Sequence, residues 1–170
     1  MPTERLVLRL PMPADAPALR DYFVRNDERF ARWREARSHE LDEHVRWIEQ
    51  SAAGAGDVTF LAFAKAGSEL VAVVSLHAFS VEEPRQAMIA YTVDGAHEGC
   101  GLASEAVGRA VQYARDERGV RTLSAHYDPE NVRSERLLQR LGFTLVHRTP
   151  VIPGFEQLMR VQNVAVLDLA

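Results

Sequence analysis

Gly99, Gly101 and Ala103 alternate within AYTVDGAHEGCGLASEAV (90–107), just ahead of a helical pattern. Small residues at such a junction let backbone N–H groups converge on an anion, and the start of the helix adds the positive end of its dipole. The chemistry on offer is a cradle for a phosphate or diphosphate; the plain alternative is a flexible turn before an ordinary helix. Spacing disfavours the two best-known nucleotide loops. A dinucleotide fingerprint runs G-x-G-x-x-G/A, with an acidic residue about 20 positions on. Here the third small residue, Ala103, comes one position early and Ser104 stands in the fingerprint place. A Walker-type loop needs a lysine, and the only lysine is Lys65. Cys100 lies inside the segment. A helix start favours a thiolate, but a nucleophile needs a positioned base and none is suggested, so Cys100 reads as a small filler.

A second polar cluster opens DPENVRSERLLQRLGF (128–143), where Asn131, Ser134, Leu138 and Leu141 fall on one helical stripe. The stripe is polar where the helix begins and apolar beyond. On spacing alone, an N-cap at Asn131 and a back-bonded Ser134 account for it. His39 and His44 bracket Glu40 as H-E-x-x-x-H, which puts the rings well off one helix face and fails as a zinc site. His97 and His147 show no ligand spacing, and no metal is expected.

The elements that must position these residues follow from periodicity. RLVLRL (5–10) alternates as a half-buried strand, and Asp15 can cap a helix over 16–35 that carries Leu19, Tyr22, Phe23, Phe30 and Trp33. A second helix is predicted over about 40–52, with Leu41, Val45 and Ile48 on one face and Trp47 beside it. VTFLAFAK (58–65), ELVAVVSLHAF (69–79) and RQAMIAYTV (85–93) are strand patterns joined by turn residues, an antiparallel meander. The glycine loop then enters a helix with Leu102, Ala106, Ala110 and Ala114 at i+4 spacing, closed by Gly119. RTLSAHY (121–127) is a strand, the 128–143 segment a helix ending at Gly142, FTLVHR a strand, and 159–168 a final strand. The order is β-α-α-β-β-β-α-β-α-β-β: one α/β (α+β) domain over residues 1–170, its sheet largely antiparallel. The exposed final strand is a candidate for pairing across a homodimer.

A chain of 170 residues can bury roughly 70% of its unfolded surface without staples. Its 20 basic and 24 acidic side chains give a net charge of −4, which excludes the basic footprint of a duplex nucleic-acid binder. With Cys100 the only cysteine, an intrachain disulfide and a cysteine zinc cage are both excluded. MPTERLVLRL has no apolar signal region, and the longest apolar run, Leu70 to Phe79, falls far short of the roughly 20 residues of a membrane span. A cytoplasmic protein without a membrane or nucleic-acid partner is expected.

Taken together, G-x-G-x-A opening a helix and, about 30 residues on, a strand followed by N-x-x-S-x-R-x-L-x-x-x-G-F resemble motifs A and B of the GNAT N-acetyltransferase superfamily. TERLVLRL, NDERFARW, Tyr91, SEAV and NVRS resemble its RimJ/RimL-like branch of ribosomal-protein N-terminal acetyltransferases, and the likeness spans essentially the whole chain. The resemblance implies a sheet splayed between its fourth and fifth strands with acetyl-CoA, the co-substrate, in the split. It implies backbone contacts from Thr92 and Val93 to the pantetheine arm, and from Gly99, Cys100, Gly101, Leu102, Ala103 and Ser104 to the pyrophosphate. Asn131 would contact the pantetheine side, with Ser134 near the thioester sulfur as the acid.

The implied reaction is direct attack of a neutral primary amine on the thioester, without a covalent enzyme intermediate. A proton must leave the amine, the oxyanion needs fixed donors, and a thiolate needs only modest help to depart. Candidate bases are Glu83, His77, His126 and Glu156, of which Glu156 sits where the branch sometimes places an acid; His77, amid apolar strand residues, reads more readily as core. The early helices would wall the acceptor site, with Trp33 among Arg29, Arg32, Arg34 and Arg37, a cluster that otherwise reads as a solvated face. The acceptor is a protein N-terminus, as on a ribosomal protein, or a small amine. Three departures stand out: Glu98 where motif A begins with Gln or Arg, Leu138 where many members carry a tyrosine, and Met88 where the branch often has a glutamate. They keep open a non-catalytic CoA-binding module, and a longer acyl donor is a further alternative.

Overall fold

The computed structural model describes residues 1–33, 39–53, 56–80, 82, 85–149 and 161–169. Seven strands form one sheet: β1 (Leu6–Arg9), β2 (Val58–Ala64), β3 (Leu70–His77), β4 (Gln86–Val93), β5 (Thr122–Tyr127), β6 (Thr144–Arg148) and β7 (Asn163–Asp168). The helices are α1 (Ala16–Arg25), α2 (Asp27–Ala31), α3 (Leu41–Ala53), α4 (Leu102–Asp116) and α5 (Val132–Arg140). Strand order is β1-β2-β3-β4-β5-β7-β6, and among the described residues the only parallel pair is β4–β5. No helix among the described residues is long and apolar enough to cross a membrane.

Alternation along the strands feeds two cores. Phe60, Ala62, Val74, Leu76, Ala87, Ile89, Leu123 and Ala125 pack with Leu102, Ala106, Val107 and Ala110 of α4 and Leu137 and Leu138 of α5. On the other face, Leu61, Leu70 and Val73 pack against Leu19, Tyr22, Phe23, Phe30 and Ile48 of α1–α3. Each fully buried leucine or isoleucine contributes about 1.5–3 kcal/mol. The row Ala106, Ala110 and Ala114, all at 0% exposure, lets the α4 backbone lie close to the sheet and fixes where its N-terminus points.

The structure departs from the sequence reading in three places. Asp15 stands at the N-cap of α1, but its carboxylate pairs with Arg9 and accepts from the Met12 amide instead of capping that helix. The helix expected over 16–35 breaks at Asn26, whose conformation leaves the helical region. Its buried side chain donates to the Tyr22 carbonyl (2.9 Å) and accepts from the Gly95 amide (2.9 Å), so an asparagine that competes with helical bonding ties α1 to the loop after β4. The last strand, β7, is not an exposed edge either; it lies between β5 and β6, and β6 forms the edge. Pairing with two neighbours satisfies both sides of β7, which removes it as a dimerisation edge.

β4 and β5 pair only at Gln86↔Thr122, Ala87↔Leu123 and Met88↔Ser124. Beyond Met88, β4 continues against β3 as far as Val93↔Ala72, while β5 continues against β7 as far as Tyr127↔Asn163. The sheet therefore splits between its fourth and fifth strands, in agreement with the expectation from sequence.

Candidate active site

The split opens into a cleft of about 1260 Å³, larger than the roughly 300–1,000 Å³ of ordinary small-molecule pockets. One wall is the end of β4. The Asp94 amide donates to the Val71 carbonyl (2.8 Å), so alternation turns the amides of Thr92 and Ala90 towards β3 and those of Tyr91 and Val93 into the gap. The Val93 carbonyl on that side accepts from Arg29 Nη1 (2.9 Å). Thr92 carries its side chain to the α1 face, where its Oγ1 accepts from the Tyr22 hydroxyl (3.0 Å). Burial pushes that phenol up, so it remains a donor.

The loop after β4 is held from below. Asp94, 2% exposed, accepts from the Ala96 amide (2.9 Å) and from Arg25 Nε (2.5 Å). Burial alone would raise its pKa; the Ala96 amide, the Arg25 guanidinium and Asn26 outweigh it and hold the carboxyl below the usual range. Gly99 (φ +73°) and Gly101 (φ +80°) take left-handed conformations, and Gly101 is the residue from which α4 departs. The first amides of a helix lack partners within it, so those of Leu102, Ala103 and Ser104 add to the amides of the glycine loop. Arg5 braces the same turn, donating to the Cys100 carbonyl (2.8 Å) and pairing with Glu105 (2.8 Å), which also accepts from the Thr3 hydroxyl.

Glu98, the departure from motif A, is neutralised. Its carboxylate bonds Arg29 of α2 and Arg133 of α5 (2.6 Å), a bridge between elements on both sides of the cleft. Arg29 is thus part of the site wall and not of a solvated face.

The opposite wall is the start of α5. Asn131 caps it, its Oδ1 accepting from the Ser134 amide (3.1 Å). The Ser134 hydroxyl meets the Tyr91 hydroxyl at 2.6 Å. Burial pushes the Tyr91 phenol up to about 12, the Ser134 bond opposing it, so Tyr91 stays protonated and can donate to Ser134. That leaves the serine proton free to point into the cleft.

Of the residues singled out in the sequence, Thr92, Val93, Gly99, Gly101, Ala103, Asn131 and Ser134 line this one cleft, together with Trp33, Arg29, Arg32 and His126. Leu102 is buried in the core and Cys100 is exposed with its thiol on the Glu98 carbonyl (3.5 Å), so both can serve the loop only through their backbone. Ser104 sits half-buried in the first turn of α4. Trp47 packs against the α1–α3 core, and His77 pairs with Asp57 (3.2 Å) away from the cleft. Glu156, Glu83, Arg34 and Arg37 lie outside the described residues. The Tyr91–Ser134 bond and the Arg29–Glu98–Arg133 bridge were not read from sequence; they join residues 43, 69 and 35 positions apart, and only the fold brings them together.

Residues 5–144 match the family model of the acetyltransferase (GNAT) domain, and the chain belongs to that family. It is an acetyl-CoA-dependent acetyltransferase. Among its curated relatives is the [ribosomal protein uS5]-alanine N-acetyltransferase of Escherichia coli (strain K12), 27% identical over 147 residues, covering 83% of this chain and 76% of that protein. Two solved structures share the fold. The ribosomal-protein-S5-alanine acetyltransferase of Vibrio fischeri has a TM-score of 0.83 at 20% identity, over 99% of this chain and 95% of that one. Mycobacterium smegmatis RimJ, solved in complex with CoA-disulfide, has a TM-score of 0.86 at 18% identity, over 96% of this chain and 82% of that one.

Proposed function

We propose that this acetyltransferase passes the acetyl group of acetyl-CoA directly to a primary amine within a ternary complex, the acceptor being a protein N-terminal α-amine. The observation that carries the reading is the abrupt end of β4–β5 pairing after Met88↔Ser124, which leaves the Tyr91 and Val93 amides facing a gap that continues to the glycine loop. A thioester threaded there finds fixed N–H donors for its carbonyl oxygen, the preorganised kind that stabilises a developing oxyanion. The amides of Gly99–Ser104 at the head of α4 hold the diphosphate. Asn131 flanks the pantetheine arm, and the Ser134 hydroxyl, supported by Tyr91, lends its proton to the departing sulfur. Glu156 stands as the sequence candidate for the base.

The relatives that modify ribosomal proteins support an N-terminal acceptor, and a ribosomal-protein N-terminus is the first substrate to try. The deciding experiment measures thiol release from acetyl-CoA against a panel of N-terminal peptides and small amines from pH 7 to 9. Turnover with the peptides and little with the small amines is expected. Acetyl-CoA binding without amine-dependent thiol release from any of them would overturn the reading.

A further inference from the structure

His126 lies two residues beyond Ser124, the last β5 residue paired to β4. It therefore stands on the diverging part of the strand, and it lines the cleft. Its neighbours Ala125 and Tyr127 are buried in the core shared with Leu137 and Leu138 of α5, while His126 itself is exposed. Alternation thus places its ring on the sheet face opposite α4 and α5. Ser134 and Tyr91 belong to the α5 side. A group lying in the split consequently has a hydroxyl on one face and an imidazole on the other.

The His126 ring is also oriented. Its Nδ1 meets Gln162 Oε1 at 3.4 Å, and an amide oxygen can only accept. In the tautomer that makes this bond, Nδ1 carries the proton and Nε2 of the neutral ring is left unprotonated. Among the other ionisable groups on these walls, Glu98 holds Arg29 and Arg133, His97 meets Glu69 (3.1 Å), Asp128 accepts from the Glu130 amide (2.9 Å) and Glu130 pairs with Arg32 (3.4 Å).

We propose that His126 is the base that takes the acceptor's proton, with Gln162 as the residue that positions it. This rests on the function proposed above. As the amine nitrogen bonds to the thioester carbon, its proton passes to Nε2 of His126 and later to solvent. The C–S bond breaks, and the sulfur receives a proton from the Ser134 side. The products are the acetylated amine and the free thiol of CoA, with no other reactant required. On the face of His126, β4 presents Ala90 and Thr92, β7 presents Val164, and Gln162 lies just ahead of β7, none of them charged. The charged groups sharing its cleft are Asp128 and Glu130 beyond β5, Glu28, Arg29 and Arg32 from the α2 side, Glu98 in the loop after β4, and Arg133, Arg136 and Arg140 on α5, with His97 as a second imidazole.

The test compares wild type, H126Q, H126A, Q162L, Q162E and E156Q in kcat/KM against pH, with acetyl-CoA affinity measured separately by calorimetry. H126Q should lose about 100-fold or more in kcat/KM, lose the acidic limb of the pH profile, and bind acetyl-CoA as wild type does. Added imidazole should restore part of the rate in H126A. Q162L should lower kcat several-fold and shift the acidic limb without changing KM for acetyl-CoA, and Q162E, which keeps an acceptor, should recover it. The proposal is overturned if H126Q keeps its acidic limb, if its loss is matched by lost acetyl-CoA binding, or if E156Q alone removes the limb. An inactive wild type would instead bring down the function on which the proposal rests.

Discussion

Two hydroxyls and one carboxylate set the behaviour of the cleft at the scale of single residues. In the proposed mechanism Ser134 serves the leaving sulfur, and the Tyr91 hydroxyl, kept protonated by burial, lies at 2.6 Å from its own hydroxyl. Ser134→Ala should therefore cut kcat far more than acetyl-CoA affinity, read by thiol release and calorimetry together; equal losses would remove the acid role. Tyr91→Phe should give a smaller loss in kcat, about three- to tenfold, since the serine keeps its proton but loses support worth about 1 kcal/mol. Glu98 occupies two arginines beside the loop assigned to the diphosphate. Glu98→Gln frees them, and acetyl-CoA binding should tighten several-fold at low salt, the gain shrinking as ionic strength rises. Unchanged or weaker binding would mean that Glu98 serves to hold the guanidinium groups in place.

At the scale of elements, the cleft depends on how α1 is fastened to the loop after β4. Arg25 and Asn26 make that connection through Asp94 and Gly95. The sign of the pH effect follows from the depressed Asp94 carboxyl. A group whose pKa is lower folded than unfolded stabilises the fold above its unfolded value, near 3.9, and loses that contribution as pH falls through the folded value. Asp94→Asn should accordingly cost about 2 kcal/mol in urea unfolding at pH 7. The difference between variant and wild type should narrow below pH 4. A constant difference across that range would assign the loss to packing.

For the whole molecule, the split makes the sheet two halves. β1–β4 carry α1–α3 and α4; β5–β7 carry α5 and join the first half through three residue pairs between β4 and β5 and the helical core. A ligand wedged between the halves replaces contacts that the diverging strands cannot make with each other. Acetyl-CoA at 100 times its Kd adds about 2.7 kcal/mol, which for a domain of this size is a rise in Tm of about 5–10 °C. Calorimetric scans with acetyl-CoA and with an adenine nucleotide lacking the pantetheine arm separate the contributions. A rise of similar size from both would mean that the strand gap does not hold the arm.

The sequence by itself determined the elements and their order, because apolar period and turn chemistry are local. Alternation in VTFLAFAK and the i+4 run from Leu102 through Ala114 are both visible in a short window, and so is the G-x-G-x-A turn that demands left-handed backbone at Gly99 and Gly101. Tertiary structure alone decided the rest. The helix break at Asn26 exists because a partner at Gly95 waits for its side chain, and no local rule could reveal a partner 69 residues away. Glu98 was visible in the sequence only as a departure from motif A, and its contacts with Arg29 and Arg133 come from the fold. His126 gained its place from register: three residue pairs between β4 and β5, and no fourth, put it at the split. Hydrogen-bond register between distant strands is a property of the packed sheet, since slipping it by one residue would turn every side chain to the opposite face.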